Sequence, residues 1–242
     1  MDCVPWAKNV IFDLDGTLVD SAGDVVDCLA RACAANGISG VEERMAGKFT
    51  IGPPLPDMLR AMAPELTEAQ RAAVVAAFRR CYDSCDLAKT TAREGVRDLL
   101  HALHDAGAIL FVATNKPHLP ARRVLTKTGI LPLITDCIAP DAMPGARASK
   151  SEMISHLIDK WGMRKGSTCV VGDAATDVQA AHDNGLASVA VLSGYGDAEE
   201  IRRSRPTFTA ESMRDVQAVL CPGKCANSHG AAETSSAPVV ES

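Results

Sequence analysis

Three short apolar runs punctuate the chain, and each closes on polar residues: Val10-Ile11-Phe12 before Asp13, Ile109-Leu110-Phe111-Val112-Ala113 before Thr114, and Thr168-Cys169-Val170-Val171 before Gly172. Continuous rather than alternating hydrophobicity predicts strands covered on both faces, as in a parallel sheet. Elsewhere the spacing becomes helical. Val25, Val26, Leu29 and Cys33 face one way after a capping-box-like start at Ser21 and Asp24, and Gly37 is a natural stop. Thr67 followed by Gln70 opens another helix, carrying Ala73, Val74, Ala77, Phe78 and Cys81. Val96, Leu99, Leu100 and Leu103 run to a stop at Gly107, and Met153, Leu157 and Trp161 to one at Gly162. From Asp20 to about Ala92 there are helices and no clear buried strand, after which strand and helix alternate. The pattern predicts an α/β protein with a parallel sheet and a helical insert.

Each apolar run delivers groups that chemistry can use. Asp13 and Asp15 stand one residue apart where the first strand leaves the sheet at its carboxyl edge, the edge at which open α/β sheets bind ligands. Carboxylates held that close repel unless a cation, a shared proton or hydrogen bonds compensate, and a divalent metal is the simplest compensation. Thr114 and Asn115 offer a hydroxyl and an amide to a phosphoryl oxygen, while Lys116-Pro117 ends the strand and adds a nearby cation. Lys150 stands at a helix start, and Asp173 and Asp177 follow the third run. Singly, each segment also reads as a polar turn or a solvated helix end. Their order along the chain favours one site.

In that order the residues resemble the haloacid-dehalogenase superfamily, whose phosphatase members carry Asp-x-Asp-Gly-Thr after the first strand, as in Asp13-Leu14-Asp15-Gly16-Thr17. Thr114-Asn115 is similar to the second motif. Lys150, in Ser149-Lys150-Ser151-Glu152-Met153-Ile154, takes the place of the third, which many members write Lys-Pro-x-Pro. Gly172-Asp173-Ala174-Ala175-Thr176-Asp177 is similar to the fourth, with Ala174 where Ser is common. The resemblance implies a Rossmann-like parallel-sheet core with an inserted α-helical cap domain, and Mg²⁺ as the metal. It makes Asp13 the nucleophile, Asp15 the acid–base, Lys150 the cation between nucleophile and phosphate, and Thr114 and Asn115 phosphate-binding residues. Metal ligands would be Asp13, Asp15 and Asp173, with Asp177 a supporting acid. Hard oxygen ligands suit Mg²⁺ better than Zn²⁺.

The likeness runs from about Val10 to Leu220 and is strongest to the phosphoglycolate-phosphatase-like subfamily. There Ile51-Gly52-Pro53-Pro54-Leu55 looks like a cap loop, and Leu192-Ser193-Gly194-Tyr195-Gly196 like the stretch after the fifth core strand. Arg93-Glu94-Gly95-Val96 departs from the usual Tyr-Pro-Gly-Val, leaving Arg93 as a substrate contact, a hinge residue or an exposed side chain. The implied organisation is a core of 1–19 and 93–222 and a cap of 20–92. The implied function is hydrolysis of a small phosphorylated metabolite, with 2-phosphoglycolate the first substrate to consider. A sugar-phosphate mutase of the same fold and a non-catalytic phosphometabolite-binding protein are the alternatives.

Composition narrows the setting. At 242 residues the chain can bury a full α/β core with room for an accessory domain. A net charge of -5 without a basic arm argues against a nucleic-acid partner, and no apolar stretch approaches a membrane span. The first residues lack the pattern of a secretion signal, so a cytoplasmic location and reduced thiols are expected for the nine cysteines. Cys81 and Cys85, one helical turn apart, read as small packing residues. After Cys221 large apolar side chains become too sparse to pack, which predicts a disordered tail over 223–242.

Overall fold

The computed structural model describes residues 6–39, 51–143 and 148–221; residues 40–50 of the expected cap and the predicted tail lie outside them. The chain begins with β1 (Asn9–Phe12) and β2 (Val19–Asp20), then α1 (Ala22–Ala34), α2 (Leu55–Met62) and α3 (Glu68–Ser84) precede β3 (Thr91–Ala92). Alternation follows through α4 (Val96–Asp105), β4 (Ile109–Ala113), α5 (His118–Lys127), β5 (Asp136–Ile138), α6 (Lys150–Trp161) and β6 (Thr168–Gly172). It ends with α7 (Ala175–Asp183), β7 (Ala187–Val191), α8 (Ala198–Arg203), β8 (Phe208–Ala210) and α9 (Met213–Leu220).

Six strands form one parallel sheet in the order β5-β4-β1-β6-β7-β8. All three apolar runs are therefore its central strands. Side chains alternate across it: Val10 and Phe12 pack with Leu99, Leu103, Val124 and Val216 on one face, while Ile11 meets Ile154, Leu157 and Ala181 on the other. Met153, Ile154 and Leu157 of α6 are fully buried, and burying each such side chain contributes about 1.5–3 kcal/mol before the entropy of ordering is set against it. Strand order reverses beside β1, which places a crevice at the carboxyl ends of β1, β4 and β6.

The helices between β2 and β3 share a smaller apolar cluster of Leu29, Ala32, Cys33, Leu59, Met62 and Val74. β2 and β3 pair antiparallel, Val19 with Ala92 and Asp20 with Thr91, so the chain leaves and rejoins the core at one place. The capping box expected at Thr67 and Gln70 forms, and Ser149 with Glu152 makes a second at the start of α6. At α1 the expectation needs correction. Ser21 makes no side-chain cap, because its hydroxyl donates to Asp15 at 2.5 Å. The Asp24 carboxylate instead accepts from the Thr90 hydroxyl at 2.6 Å. Trp161, the last apolar position of α6, remains 44% exposed, with its ring against Phe111 and its indole N–H on Asp136 at 3.0 Å.

Candidate active site

Because β1, β4 and β6 end side by side, their following residues meet without long loops. Asp13 leaves β1, and its amide still donates to Val171 of β6 at 2.8 Å. Asp173 follows β6 and Asp177 lies in the first turn of α7. The three carboxylates are buried and bring one oxygen each within 4.8 Å of one another. Gly172 permits this approach, since a Cβ there would stand 2.2 Å from Cγ of Asp177. Gly16 does the same on the other side with φ +89°, where an added Cβ would meet the Asp173 carboxylate at 2.2 Å.

One cation stands inside this group. Lys150, at the first position of α6, is buried and places Nζ 2.6 Å from Asp13 and 2.5 Å from Asp177. Burial works against its ammonium, yet Asp13 and Asp177 outweigh it and hold the Lys150 pKa above the ordinary lysine value. Burial pushes the Asp13 carboxyl up to about 8, opposed by Lys150 and reinforced by Asp177 and Asp173. Asp173 is raised to about 6, again chiefly by burial, with Asp177 adding to it and the Thr17 hydroxyl and Tyr195 amide opposing. Those two donors lie 2.7 Å from its oxygens. Asp177 completes its bonding by accepting from the Ala174 amide at 3.0 Å.

Asp15 faces another partner. Its carboxylate lies outside the cluster of three, 3.0 Å from Nζ of Lys116 and on the Ser21 hydroxyl. Lys116 is half-buried, with its side chain only 8% exposed beneath Tyr82 of α3 and Nζ lying 4.7 Å from the ring centroid. Burial disfavours its charge, but Asp15 and Tyr82 more than restore it. Asn115 is at the site, its amide donating to the Gly52 carbonyl at 2.9 Å, while the Thr114 hydroxyl is buried and accepts from the Lys116 amide at 3.1 Å. Arg93 is not brought into this group. Its guanidinium donates to the Ser193 carbonyl at 2.5 Å, beside a separate depression shared with Thr90, Arg97 and Lys127.

A cavity of about 200 Å³ is lined by Asp13, Asp15, Asn115, Lys150, Asp173 and Asp177. Past Asn115 lies a larger cleft of about 480 Å³, where α2 and α3 supply Arg60, Phe78, Arg79 and Tyr82 opposite Lys116. Four contacts here escaped the sequence reading: Thr17 with Asp173, Ser21 with Asp15, Lys116 with Asp15, and Tyr195. The Tyr195 hydroxyl accepts from the amides of Ser21 and Ala22 at 2.9 and 3.1 Å and donates to Asp20 at 2.6 Å, so it takes over the capping that Ser21 gives up. Thr17 and Lys116 adjoin recognisable motifs, which was the available signal. Tyr195 had none.

Residues 10–191 match the family described as haloacid dehalogenase-like hydrolase, and the chain belongs to that family. It is 31% identical over 230 residues to a phosphoglycolate phosphatase of Vibrio vulnificus, covering 88% of this chain and 96% of the relative. It is 36% identical over 215 residues to the tyrosine-protein kinase PtkA of Mycobacterium tuberculosis, covering 87% and 72%. Among solved structures, a predicted phosphoglycolate phosphatase from Haemophilus somnus superposes with a TM-score of 0.77 at 26% identity, covering 87% of this chain and 96% of that one.

Proposed function

We propose that this protein hydrolyses a small-molecule phosphomonoester with Mg²⁺, through a phosphoryl group carried on Asp13. The observation that carries the proposal is Lys150, buried and bonded at once to Asp13 and Asp177 beside Asp173. Such a group has no evident structural purpose, since burying charges in an apolar core usually costs stability. It is suited to receiving an anion that a carboxylate must attack.

The donor set fits a hard divalent ion. Three buried carboxylates gather around one lysine, and burial raises both Asp13 and Asp173, so ionising them together calls for a further cation. Asp13 and Asp173 would hold Mg²⁺, with Asp177 in support through Lys150. The Asp15 carboxylate, bonded to Lys116 and Ser21, lies outside that group. Mg²⁺, when bound, supplies a Lewis acid that offsets the phosphoryl charge.

Asp13 attacks phosphorus and the ester oxygen departs with a proton from Asp15, which must first turn from Lys116 towards the leaving group. Asp15 then takes a proton from water as its oxygen attacks the aspartyl-phosphate, freeing inorganic phosphate and restoring Asp13. Lys150 holds the nucleophile in place throughout, and Asn115 with Thr114 orients the phosphoryl oxygens. We take the segment between β2 and β3 as a cap that supplies the leaving-group cleft. Its closure would exclude water and admit small esters in preference to a folded phosphoprotein.

The relatives make 2-phosphoglycolate the first substrate to assay, within a panel of sugar phosphates, nucleoside monophosphates and p-nitrophenyl phosphate. Phosphate release should vanish in Asp13→Asn and in EDTA, and return with Mg²⁺. Near wild-type release from Asp13→Asn, or release persisting in chelator, would overturn the mechanism. Isomer formation from a sugar phosphate without phosphate release would point to a mutase. Transfer from ATP to a tyrosine would align the chain with its kinase-named relative instead.

A further inference from the structure

Away from the acids, three thiols gather where α1 packs on α3. Cys28 of α1 is buried, and its Sγ lies 2.7 Å from Sγ of Cys81 on α3. Cys81 is half-buried, as is Cys85 one turn further on, whose Sγ rests 3.2 Å from the Tyr82 carbonyl. A disulfide holds its sulfurs at about 2.05 Å, so Cys28 and Cys81 need to close by less than about 1 Å to bond. No part of the phosphatase reading uses these residues.

We infer that Cys28 and Cys81 form an oxidisable thiol pair, which a small-molecule disulfide such as oxidised glutathione closes into an intramolecular disulfide joining α1 to α3. The partial exposure of Cys81 makes it the sulfur an oxidant reaches first. Its thiolate attacks one sulfur of oxidised glutathione, forming a mixed disulfide and releasing one glutathione thiolate. Cys28 then gives up its proton and attacks the Cys81 sulfur, expelling the second glutathione thiolate. Two protein thiols become one disulfide, one oxidised glutathione becomes two reduced molecules, and the two protons end on those. Burial and the adjoining sulfurs of Cys81 and Cys85 push the Cys28 thiol well above its ordinary range, so little of it is thiolate and acidity does not drive the second step. There its target is already held against it, and proximity replaces acidity as the source of rate.

The bond would join residues 53 positions apart in sequence and fasten the helix that carries Phe78, Arg79 and Tyr82. The experiment uses the full chain, reduced and desalted, then incubated with oxidised glutathione, alkylated and mapped as peptides by mass spectrometry. A Cys28–Cys81 linked peptide is expected in the wild type and in Cys85→Ser, with none in Cys81→Ser. Cys81→Ser is preferred to substitution of the more buried Cys28 because it disturbs packing less. Cys81 stopping at the glutathione adduct, or Cys28 linking to Cys85 while Cys81 stays free, would overturn the inference. The readout is independent of catalysis, so it stands or falls separately from the proposed function.

Discussion

Replacing Lys150 by Met keeps the length and apolar stem of the side chain while deleting an ammonium held 2.6 Å from Asp13 and 2.5 Å from Asp177. Removing one partner of a buried ion pair costs about 3–5 kcal/mol, because a charge stays behind without compensation. The lower figure applies here. Burial already pushes Asp13 up to about 8, so its carboxyl can take a proton at neutral pH, and Asp177 still accepts from the Ala174 amide, which together limit the cost. A loss of about 3 kcal/mol corresponds to a fall in Tm of about 6–12 °C for a chain of this size, which leaves a folded protein to assay. Chemistry should suffer more. A preorganised group facing developing charge is worth about 10²–10³ in kcat, and Lys150→Met should lose at least that on p-nitrophenyl phosphate at saturating Mg²⁺. Lys150→Arg, which restores charge without the point geometry of an ammonium, should recover only part. An unchanged kcat in folded Lys150→Met would refute the reasoning, the more so if Lys116→Met abolished turnover.

Other outcomes follow from the same geometry. In chelator, the folded protein keeps a proton on Asp13 from the ordinary carboxylate range up to about pH 8, where the unfolded chain has lost it. Its stability in thermal melts should therefore fall as pH rises through that window, a slope that Asp13→Asn reduces most between about pH 6 and 8, above the range in which Asp173 adds to it; the same slope in both proteins would remove Asp13 as the cause. Tyr195→Phe deletes the hydroxyl that caps α1, at a cost of about 1 kcal/mol, and a Tm equal to wild type would show that the contact caps nothing. Arg79→Ala, on the exposed wall of the larger cleft, should raise KM for 2-phosphoglycolate more than for p-nitrophenyl phosphate, whereas equal KM changes would place the leaving group elsewhere.

Much of this site was readable because its residues sit at strand ends, and strand ends announce themselves where an apolar run stops. Asp13, Thr114 and Asp173 were found that way, and their order supplied Lys150. The backbone carries such residues to one edge almost regardless of side-chain detail. What stayed hidden depends on approach between distant segments. Nothing in the spacing of Lys116 says that it will hold Asp15 rather than phosphate, because that choice is made by Tyr82 covering it from α3. Ser21 looked like a helix cap and would have been one had Asp15 not claimed its hydroxyl. Arg93 looked available to a ligand, yet the Ser193 carbonyl takes it. Short local rules were right about which segments meet and poor at which hydrogen bonds win.

The two-stranded ribbon of β2 and β3 bears on how such a chain can be rebuilt. Antiparallel partners bring their Cα atoms to about 4.5–5.5 Å, so Asp20 and Thr91 present neighbouring attachment points whatever lies between them. Loop-closure entropy grows only with the logarithm of length, so exchanging that segment for a longer or shorter one changes the closure cost by about 0.6 kcal/mol per doubling. The sheet would feel the swap through the contacts of Asn115 with Gly52, of Lys116 with Tyr82, of Ser21 with Asp15 and Tyr195, and of Arg123 with the Tyr82 and Cys85 carbonyls. The ribbon thus works as a splice junction: a chimera joined there should inherit its chemistry from one parent and its choice of substrate from the other.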